Sequence, residues 1–414
     1  MLSSFRYPKF RWLWLSNLAG SAGRWTLVLV LSVQLLQMTH SSFWVGLGLF
    51  LTQGPAILLA PFSGALADRM DRRALNVISC LVSAAVTALF GLVTWVHAES
   101  PALWMALSLA FGVSFVAQMI VRATLTPSTV PREGLLNATS LIQVSLQGAQ
   151  FLGPFLATPI LAAGGPALAW AFCSLMYLVA AALSITVGES RGGGERHNLG
   201  SGLVLAYRNL RLHGAAWVAI LVVALHCTLT MSYQGMLPMF VAADLHAGTP
   251  TYGALLASIG LGAMIGSLGL AQFSGRRYRP ALFVYATLIS GFALSALGAV
   301  TTPDFALILG FCVGSSQAMF MSMTLAIIQS SVDDEYRGRA TSIYQMITLT
   351  PMALFGWGMG GLADITEPRP LLIACGIAFV LLMAIYVAFS TRLRALFTVD
   401  GWRLAAQVPA TATV

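Results

Sequence analysis

One ten-residue stretch organises this chain: Gly64-Ala65-Leu66-Ala67-Asp68-Arg69-Met70-Asp71-Arg72-Arg73. It lies between an apolar run over residues 43–67 and another that begins at Ala74. About 20 apolar residues cross a bilayer as a helix, so two such runs joined by so few residues predict two membrane spans connected by a tight hairpin. The arginines of the hairpin indicate which side of the membrane it occupies.

The composition supports a membrane protein with many spans. Hydrophobic residues make up 57% of the 414 positions and charged residues only 9%, whereas soluble domains carry about 25% charged residues. The net charge of +8 predicts membrane orientation rather than a nucleic-acid partner, because the basic residues lie in short loops between apolar runs. Each of the five cysteines lies in a different apolar run, without metal or disulfide spacing.

Hydropathy predicts an all-α membrane protein with twelve spans, near residues 11–38, 43–67, 74–97, 102–122, 135–163, 167–188, 215–241, 251–273, 280–301, 305–328, 340–363 and 370–391. All but two of the 22 Lys and Arg residues fall in the termini or in alternate loops on one side; the exceptions are Arg24 and Arg369. Basic residues accumulate in cytoplasmic loops. We therefore expect both termini in the cytoplasm and the chain in the plasma (inner) membrane.

A polar segment divides the chain into two groups of six spans. We predict a six-helix bundle over 1–188, a cytoplasmic linker over 189–214, a second bundle over 215–391 and a cytoplasmic tail over 392–414. The two halves also resemble each other. Six residues at equivalent positions match at an offset of 202: Val130, Glu133, Ala138, Thr139, Ser140 and Gln143 match Val332, Glu335, Ala340, Thr341, Ser342 and Gln345. Such internal repeats are common in transporters.

Several motifs together resemble the major facilitator superfamily of transporters. They are the hairpin pattern G-x-L-x-D-R-x-x-R-R, Met38-Thr39-His40-Ser41 with Trp44-Val45-Gly46-Leu47, Val130-Pro131-Arg132-Glu133 and Asp334-Glu335-Tyr336-Arg337-Gly338-Arg339. The pattern is most similar to the bacterial efflux branch with macrolide exporters and the enterobactin exporter. The sequence differs from the family pattern at Asp71, where the superfamily usually has glycine. It also differs at Ala157 and Thr158, where the antiporter motif has two glycines.

The resemblance implies two parallel six-helix repeats, a central cavity lined by helices 1, 4, 7 and 10, and alternating access. It implies a secondary active transporter that exports an amphipathic small organic molecule, a drug or a siderophore-like compound, with protons as a candidate coupling ion. The alternatives are an importer or a metal-ion exporter of the same fold, and a non-transporting membrane sensor or partner-binding protein. We expect a monomer whose partners are the small-molecule substrate and the lipid bilayer.

The resemblance also implies a gate at the cytoplasmic loops. Asp68 ends the second span among arginines, where a carboxylate is favoured by nearby guanidinium groups or a helix N-terminus. The predicted gating residues are Asp68, Arg69, Arg72, Arg73, Arg122, Glu133, Glu335 and Arg337. For the glutamates, helix capping is a sufficient alternative, and the arginines could act only as topology signals.

Two charged or titratable side chains lie deep within predicted spans. Arg24 is near the middle of the first span, where a guanidinium is costly unless it faces water or a partner. It is a candidate for binding an anionic or oxygen-rich group of the substrate, and a fixed hydrogen bond to backbone carbonyls or to glutamine side chains is its alternative. His226, near the middle of helix 7, is the mid-span side chain with an ordinary pKa near neutrality. It is the candidate for proton coupling, and packing is its alternative.

The remaining predicted substrate-binding residues are polar groups inside the spans, and a polar face on a membrane helix should point to the interior. With Arg24 and His226, the set comprises Asn17, Gln34, Gln118, Gln147, Gln234 and Gln317. The sequence contains no phosphate-binding loop and no His/Cys ligand cluster. We therefore expect no enzyme activity, no cofactor and no metal site.

Overall fold

The computed structural model describes residues 3–69, 71–98, 100–131, 134–187, 214–272, 278–332 and 337–396. The first six helices are α1 (Pro8–Thr39), α2 (Ser42–Arg69), α3 (Arg72–Trp95), α4 (Pro101–Thr129) and the two parts of Leu135–Ile185, α5 (135–164) and α6 (166–185). The second six are α7 (Gly214–Leu229), α8 (Thr249–Gln272), α9 (Arg279–Ala299), α10 (Pro303–Ser331), α11 (Arg337–Thr366) and α12 (Pro368–Phe389).

The break between α5 and α6 lies at Gly165, whose φ of 74° and ψ of −179° are not helical. Glycine tolerates a positive φ, and Pro166 then begins the next helix, a position where its missing N–H is not needed. The candidate span Asn137–Ile185 holds 49 residues. At about 1.5 Å per residue this is far longer than the roughly 30 Å hydrocarbon core, so the chain crosses the membrane twice here.

The described residues contain ten helices long and apolar enough to cross a membrane, counting this double segment once. The 28-residue α2 is a further crossing helix, since it too is apolar along its length. The predicted twelve-helix fold is thereby confirmed. The hairpin that organises the sequence is as tight as expected, because α2 ends at Arg69 and α3 begins at Arg72.

Helix 7 differs from its prediction. The sequence predicts one span over 215–241, but α7 ends at Leu229. A 3-10 turn (Ser232–Gly235), a helical turn (Leu237–Met239) and a π-helical turn (Phe240–Asp244) follow it. Hydropathy cannot detect this break, because the residues on both sides are apolar.

We call the membrane side that carries the α2–α3 hairpin the arginine-rich side, and the other the arginine-poor side. On the arginine-poor side, one buried apolar cluster contains residues from both halves of the chain, for example Leu31 and Phe111 with Leu255 and Leu294. On the arginine-rich side, the described residues form separate clusters. Phe10 belongs to one from the first half and Ile327 to another from the second. Within the described residues, the halves therefore share a core on the arginine-poor side and have separate cores on the other.

Two pairs of helices make the most extensive contacts between the halves. α2 packs on α11 and α5 packs on α8. At the first, Gly46 of α2 lies so close to α11 that a Cβ atom built on it would be 2.9 Å from the Trp357 Cα. At the second, a Cβ built on Gly260 would be 2.4 Å from the Phe151 nitrogen. Small residues permit such close helix contact in membrane proteins.

Candidate functional site

Asp364, near the end of α11, links the two halves on the closed arginine-poor side. One carboxylate oxygen accepts a hydrogen bond from the Ser42 backbone N–H at 2.6 Å, and the other accepts from the Phe43 N–H at 3.1 Å and from the Ser41 hydroxyl. The first N–H groups of a helix have no partner within the helix, and the helix dipole favours negative charge there. A carboxylate from the second half therefore caps a helix of the first half.

Loss of this cap is expected to weaken the closed arginine-poor side. Asp364→Asn removes the negative charge and one of the acceptor oxygens. A charge-assisted hydrogen bond at an exposed site contributes about 1–2 kcal/mol. We therefore expect the closed population to fall by about tenfold relative to the open one.

The measurement is the distance distribution between spin labels at positions 95 and 305, on a background without native cysteines. Trp95 and Phe305 are both exposed, and they lie at the arginine-poor ends of α3 and α10, one in each half. Asp304→Asn is the control, because it removes an exposed carboxylate on the same side. An unchanged distance distribution in Asp364→Asn would show that the cap does not stabilise the closed state.

Arg24 lies near the middle of α1 and is half-buried. Its guanidinium carbon is 4.1 Å from the centroid of the Phe115 ring, which belongs to α4. A cation over an aromatic face gains about 0.5–2 kcal/mol, which offsets part of the cost of placing the charge inside the membrane. The neighbouring Gly23 packs against Tyr177 of α6, so this part of α1 is fixed against two helices.

Two predicted substrate-binding residues of the first half instead bridge helices. The Gln34 amide donates to the Thr94 hydroxyl at 3.1 Å and accepts from the Trp170 indole. The Gln118 amide donates to the Ser83 hydroxyl at 2.8 Å. Both glutamines are almost completely buried. In this conformation they tie α1 to α3 and α6, and α4 to α3, and a substrate role for them stays a prediction.

Gln317 of α10 makes hydrogen bonds to the residues that follow the end of α7. Its amide donates to the Thr230 carbonyl, and its own oxygen lies 3.5 Å from the Tyr233 hydroxyl, which donates to it. The carbonyl groups at a helix C-terminus lack partners in their own helix, and burying them without a partner is costly. Gln317 thus provides a hydrogen-bond partner for a carbonyl group at the break of α7.

His226 lies in the interior of the second half rather than on an exposed helix face. Its Nε2 is 2.8 Å from the Ser290 hydroxyl of α9. Its ring stacks on Phe320 of α10 at 4.2 Å and meets the edge of Phe379 of α12 at 5.3 Å. The side chain has no exposed surface. In this conformation it packs between helices, and proton coupling through it stays a prediction.

The other predicted polar residues divide by burial. Gln147 of α5 and Gln234 in the broken segment after α7 are half-buried, like Arg24. Asn17 of α1 is buried. Within the predicted substrate-binding set, the residues that keep some exposed surface are therefore Arg24, Gln147 and Gln234.

The predicted gating set is described only in part. Glu133 and Glu335 lie outside the described residues, as do the side chains of Asp68, Arg69, Arg122 and Arg337. Arg72 and Arg73 are half-buried at the start of α3. Asp71, the unusual residue of the motif, caps α3 by accepting from the Arg73 backbone N–H at 3.0 Å. An N-cap is a position where aspartate is strongly favoured and where glycine also occurs.

An ion pair between Arg369 and Asp244 on the arginine-poor side was not predicted. The Arg369 guanidinium donates to the Asp244 carboxylate at 3.0 Å, to the Asp244 carbonyl at 3.1 Å and to the Ala299 carbonyl at 3.2 Å. It joins the start of α12 to the end of the broken segment and the end of α9. Since all of these belong to the second half, the contact rigidifies that half, whereas Asp364 joins the two halves.

The sequence also matches a family model described as "Transmembrane secretion effector" over residues 1–405. The chain belongs to this family. It is a transporter of the major facilitator superfamily, and neither the family nor its relatives are enzymes. As a member, it is a multi-pass membrane protein.

Among curated proteins, this transporter is similar to the enterobactin exporter EntS of Salmonella typhimurium, at 26% identity over 376 residues, covering 87% of each chain. It is 24% identical over 397 residues to EntS of Escherichia coli O1:K1, covering 94% of this chain and 93% of that one. Both relatives are named as exporters.

Solved structures share the fold at low identity. A bacterial homologue of the human lysosomal transporter Spinster, in an inward-facing and unoccupied conformation, has a TM-score of 0.68 at 14% identity, covering 97% of this chain and 98% of that one. A POT family transporter in complex with 5-aminolevulinic acid has a TM-score of 0.74 at 9% identity, covering 94% and 97%. At these identities the likeness establishes the fold alone.

Proposed function

We propose that this transporter exports an amphipathic, anionic or oxygen-rich small molecule across the inner membrane by alternating access. The observation that supports alternating access is the asymmetry between the two sides, and the export direction rests on the exporters among the relatives. The halves share an apolar core and the Asp364 cap on the arginine-poor side, and have separate cores on the arginine-rich side. If basic loops mark the cytoplasm, this conformation receives substrate from the cytoplasm.

The two moving units in this proposal are the bundles 1–188 and 215–391. They rock about the central site, so that the α2–α11 and α5–α8 contacts separate when substrate is released outside. The linker 189–214 lies outside the described residues except for Gly214. In the outward-open state, Asp68 and the other gating residues close the cytoplasmic mouth.

Arg24 is the proposed contact for the substrate's anionic group, with Gln147 and Gln234 as further polar contacts. A half-buried guanidinium near mid-membrane fits a carboxylate, catecholate or similar oxygen group, because charge-assisted hydrogen bonds are strong away from bulk water. The enterobactin exporters among the relatives favour a siderophore-like compound over an uncharged drug.

The proposal also includes proton coupling, which has less direct structural support than the substrate contacts. His226 is the intramembrane candidate, but its ring is enclosed by α9, α10 and α12. A proton can reach it only if these helices separate during the cycle. Asp68 or an acidic group of the substrate is the alternative carrier.

Uptake into energised inside-out vesicles tests this proposal. A panel of dyes, macrolides and catecholate siderophores is offered with and without a protonophore. We expect protonophore-sensitive uptake of a catecholate, and loss of at least 90% of it in Asp68→Asn. His226→Asn separates the two coupling routes, because only coupling through the histidine predicts loss of the proton dependence.

His40→Asn is the matched control for the histidine. His40 is a loop residue with a φ of 51°, a conformation that asparagine also adopts. It should transport like the wild type. Absence of gradient-driven uptake for every compound in the panel would contradict the proposed export.

A further inference from the structure

Three sulfur atoms meet at the end of α7. The Cys227 Sγ lies 3.9 Å from the Met231 Sδ and 3.9 Å from the Met321 Sδ. Cys227 and Met231 are one helical turn apart, and Met321 approaches from α10. Cys227 has no exposed surface, whereas Met231 and Met321 are half-buried. The cluster thus has a buried thiol and two thioethers that remain partly accessible.

The two distances from the Cys227 sulfur are those expected in a trigonal metal site. A metal–sulfur bond is about 2.3 Å long, so three sulfurs around one ion in a plane are about 4 Å from one another. The two distances from the Cys227 sulfur agree with this value. A thioether cannot replace a carboxylate or imidazole for a hard cation, so the donor set itself restricts the choice of ion.

Thiolate and thioether ligands select soft ions such as Cu(I). Cysteine binds a metal as the thiolate, releasing its proton to water as the metal–sulfur bond forms. A monovalent ion and one thiolate then give a neutral cluster. Neutrality matters here, because an uncompensated charge beside the buried Cys227 would be costly. A divalent ion would leave such a charge.

Neighbouring groups hold the third ligand in place. The Tyr344 hydroxyl of α11 donates to the Met321 carbonyl at 2.8 Å and lies 3.6 Å from the Met321 sulfur. The hydroxyl thus fixes the backbone of Met321 and also contacts its sulfur. Among the described residues, no group of three or more His, Cys, Asp and Glu side chains could hold a metal. The sulfur cluster differs because methionine supplies two of its ligands.

We propose that Cys227, Met231 and Met321 bind one monovalent soft metal ion, Cu(I) or Ag(I), which bridges α7 and α10. The site is independent of the proposed export, because it is defined by metal binding and not by transport. The sequence prediction of no metal site considered the cysteines singly and did not count methionine as a ligand.

The test is binding of Ag(I) to the purified full-length protein in chloride-free buffer, with metal quantified after dialysis, and of Cu(I) in competition with a Cu(I) chelator. We expect one ion per chain. Cys227→Ser should weaken binding at least a hundredfold, and Met231→Leu and Met321→Leu at least tenfold each. Methionine-to-leucine changes conserve volume, so these variants should remain folded.

Cys312→Ser and Met319→Leu are the matched controls, because each removes a sulfur from α10 outside the cluster. Both should bind like the wild type. Unchanged affinity in Cys227→Ser, or an equal loss in Cys312→Ser, would overturn the site. If Cys227→Ser does not fold, X-ray absorption of the Cu(I)-loaded wild type decides. Three sulfurs at about 2.3 Å support the site, and a shell of nitrogen or oxygen contradicts it.

Discussion

Gly260→Val is expected to force the halves apart on the arginine-poor side. A Cβ on Gly260 would lie 2.4 Å from both the Gln150 carbonyl carbon and the Phe151 nitrogen. These are backbone atoms of α5, so no side-chain rotation relieves the overlap. Overpacking costs about 1–3 kcal/mol, which corresponds to about a ten- to hundredfold loss of the closed population.

The spin-label pair at positions 95 and 305 measures this effect, and we expect the longer distance to dominate in Gly260→Val. Gly314→Ala is the contrasting variant. Its Cβ would lie 1.9 Å from the Ile259 carbonyl oxygen, but α8 and α10 belong to the same half. It should lower the thermal stability of the protein and leave the inter-half distance unchanged.

Gly269→Ala completes the comparison, because in the described part of the chain no atom beyond its own helix turn lies within 4 Å of the added Cβ. It should leave the distance unchanged and should not lower the stability, because alanine is favoured over glycine within a helix by about 0.5–1 kcal/mol. If Gly260→Val lowers stability as Gly314→Ala does while the distance stays short, the α5–α8 contact is part of a fixed core and not an opening interface.

The fold could be predicted from the sequence because its signals are local. A membrane span is an apolar run of sufficient length, and the tight hairpin at Asp71 and the Gly165–Pro166 break are each encoded by a few adjacent residues. The arrangement of basic residues in alternate loops adds the topology. None of these inferences requires knowledge of which helices touch.

The contacts of the polar side chains could be predicted only in part. A polar residue in a membrane helix predicts an interior position, and Gln34, Gln118 and Gln317 do lie in the interior. Their partners, however, belong to other helices. Hydropathy also gives no sign that α7 ends at Leu229, because the Gln317 amide that satisfies the Thr230 carbonyl comes from α10.

Asp364 illustrates the same limit. The sequence places an aspartate at the arginine-poor end of the eleventh span, which is an ordinary position for a charged residue. Its role as a cap depends on the N-terminus of α2, more than 300 residues away in the chain. Only the packing of α2 against α11 brings the two together.

Arg24→Gln is expected to reduce transport of an anionic substrate by about ten- to a hundredfold while leaving transport of an uncharged dye unchanged. The guanidinium lies at mid-membrane against the Phe115 ring, where a charged hydrogen bond to substrate contributes about 1.5–3 kcal/mol. Glutamine keeps hydrogen-bonding capacity and removes the charge. The variant therefore separates charge recognition from polarity.

Initial uptake rates in inside-out vesicles, measured over a range of substrate concentrations, provide the test. Arg24→Lys should retain part of the activity because it keeps the positive charge. The rest should be lost because lysine lacks the planar guanidinium group that makes bidentate hydrogen bonds. Arg11→Gln is the matched control, since Arg11 is an exposed residue of α1 near its arginine-rich end. Equal losses for charged and uncharged compounds in Arg24→Gln would indicate that Arg24 stabilises the α1–α4 packing and does not recognise the substrate's charge.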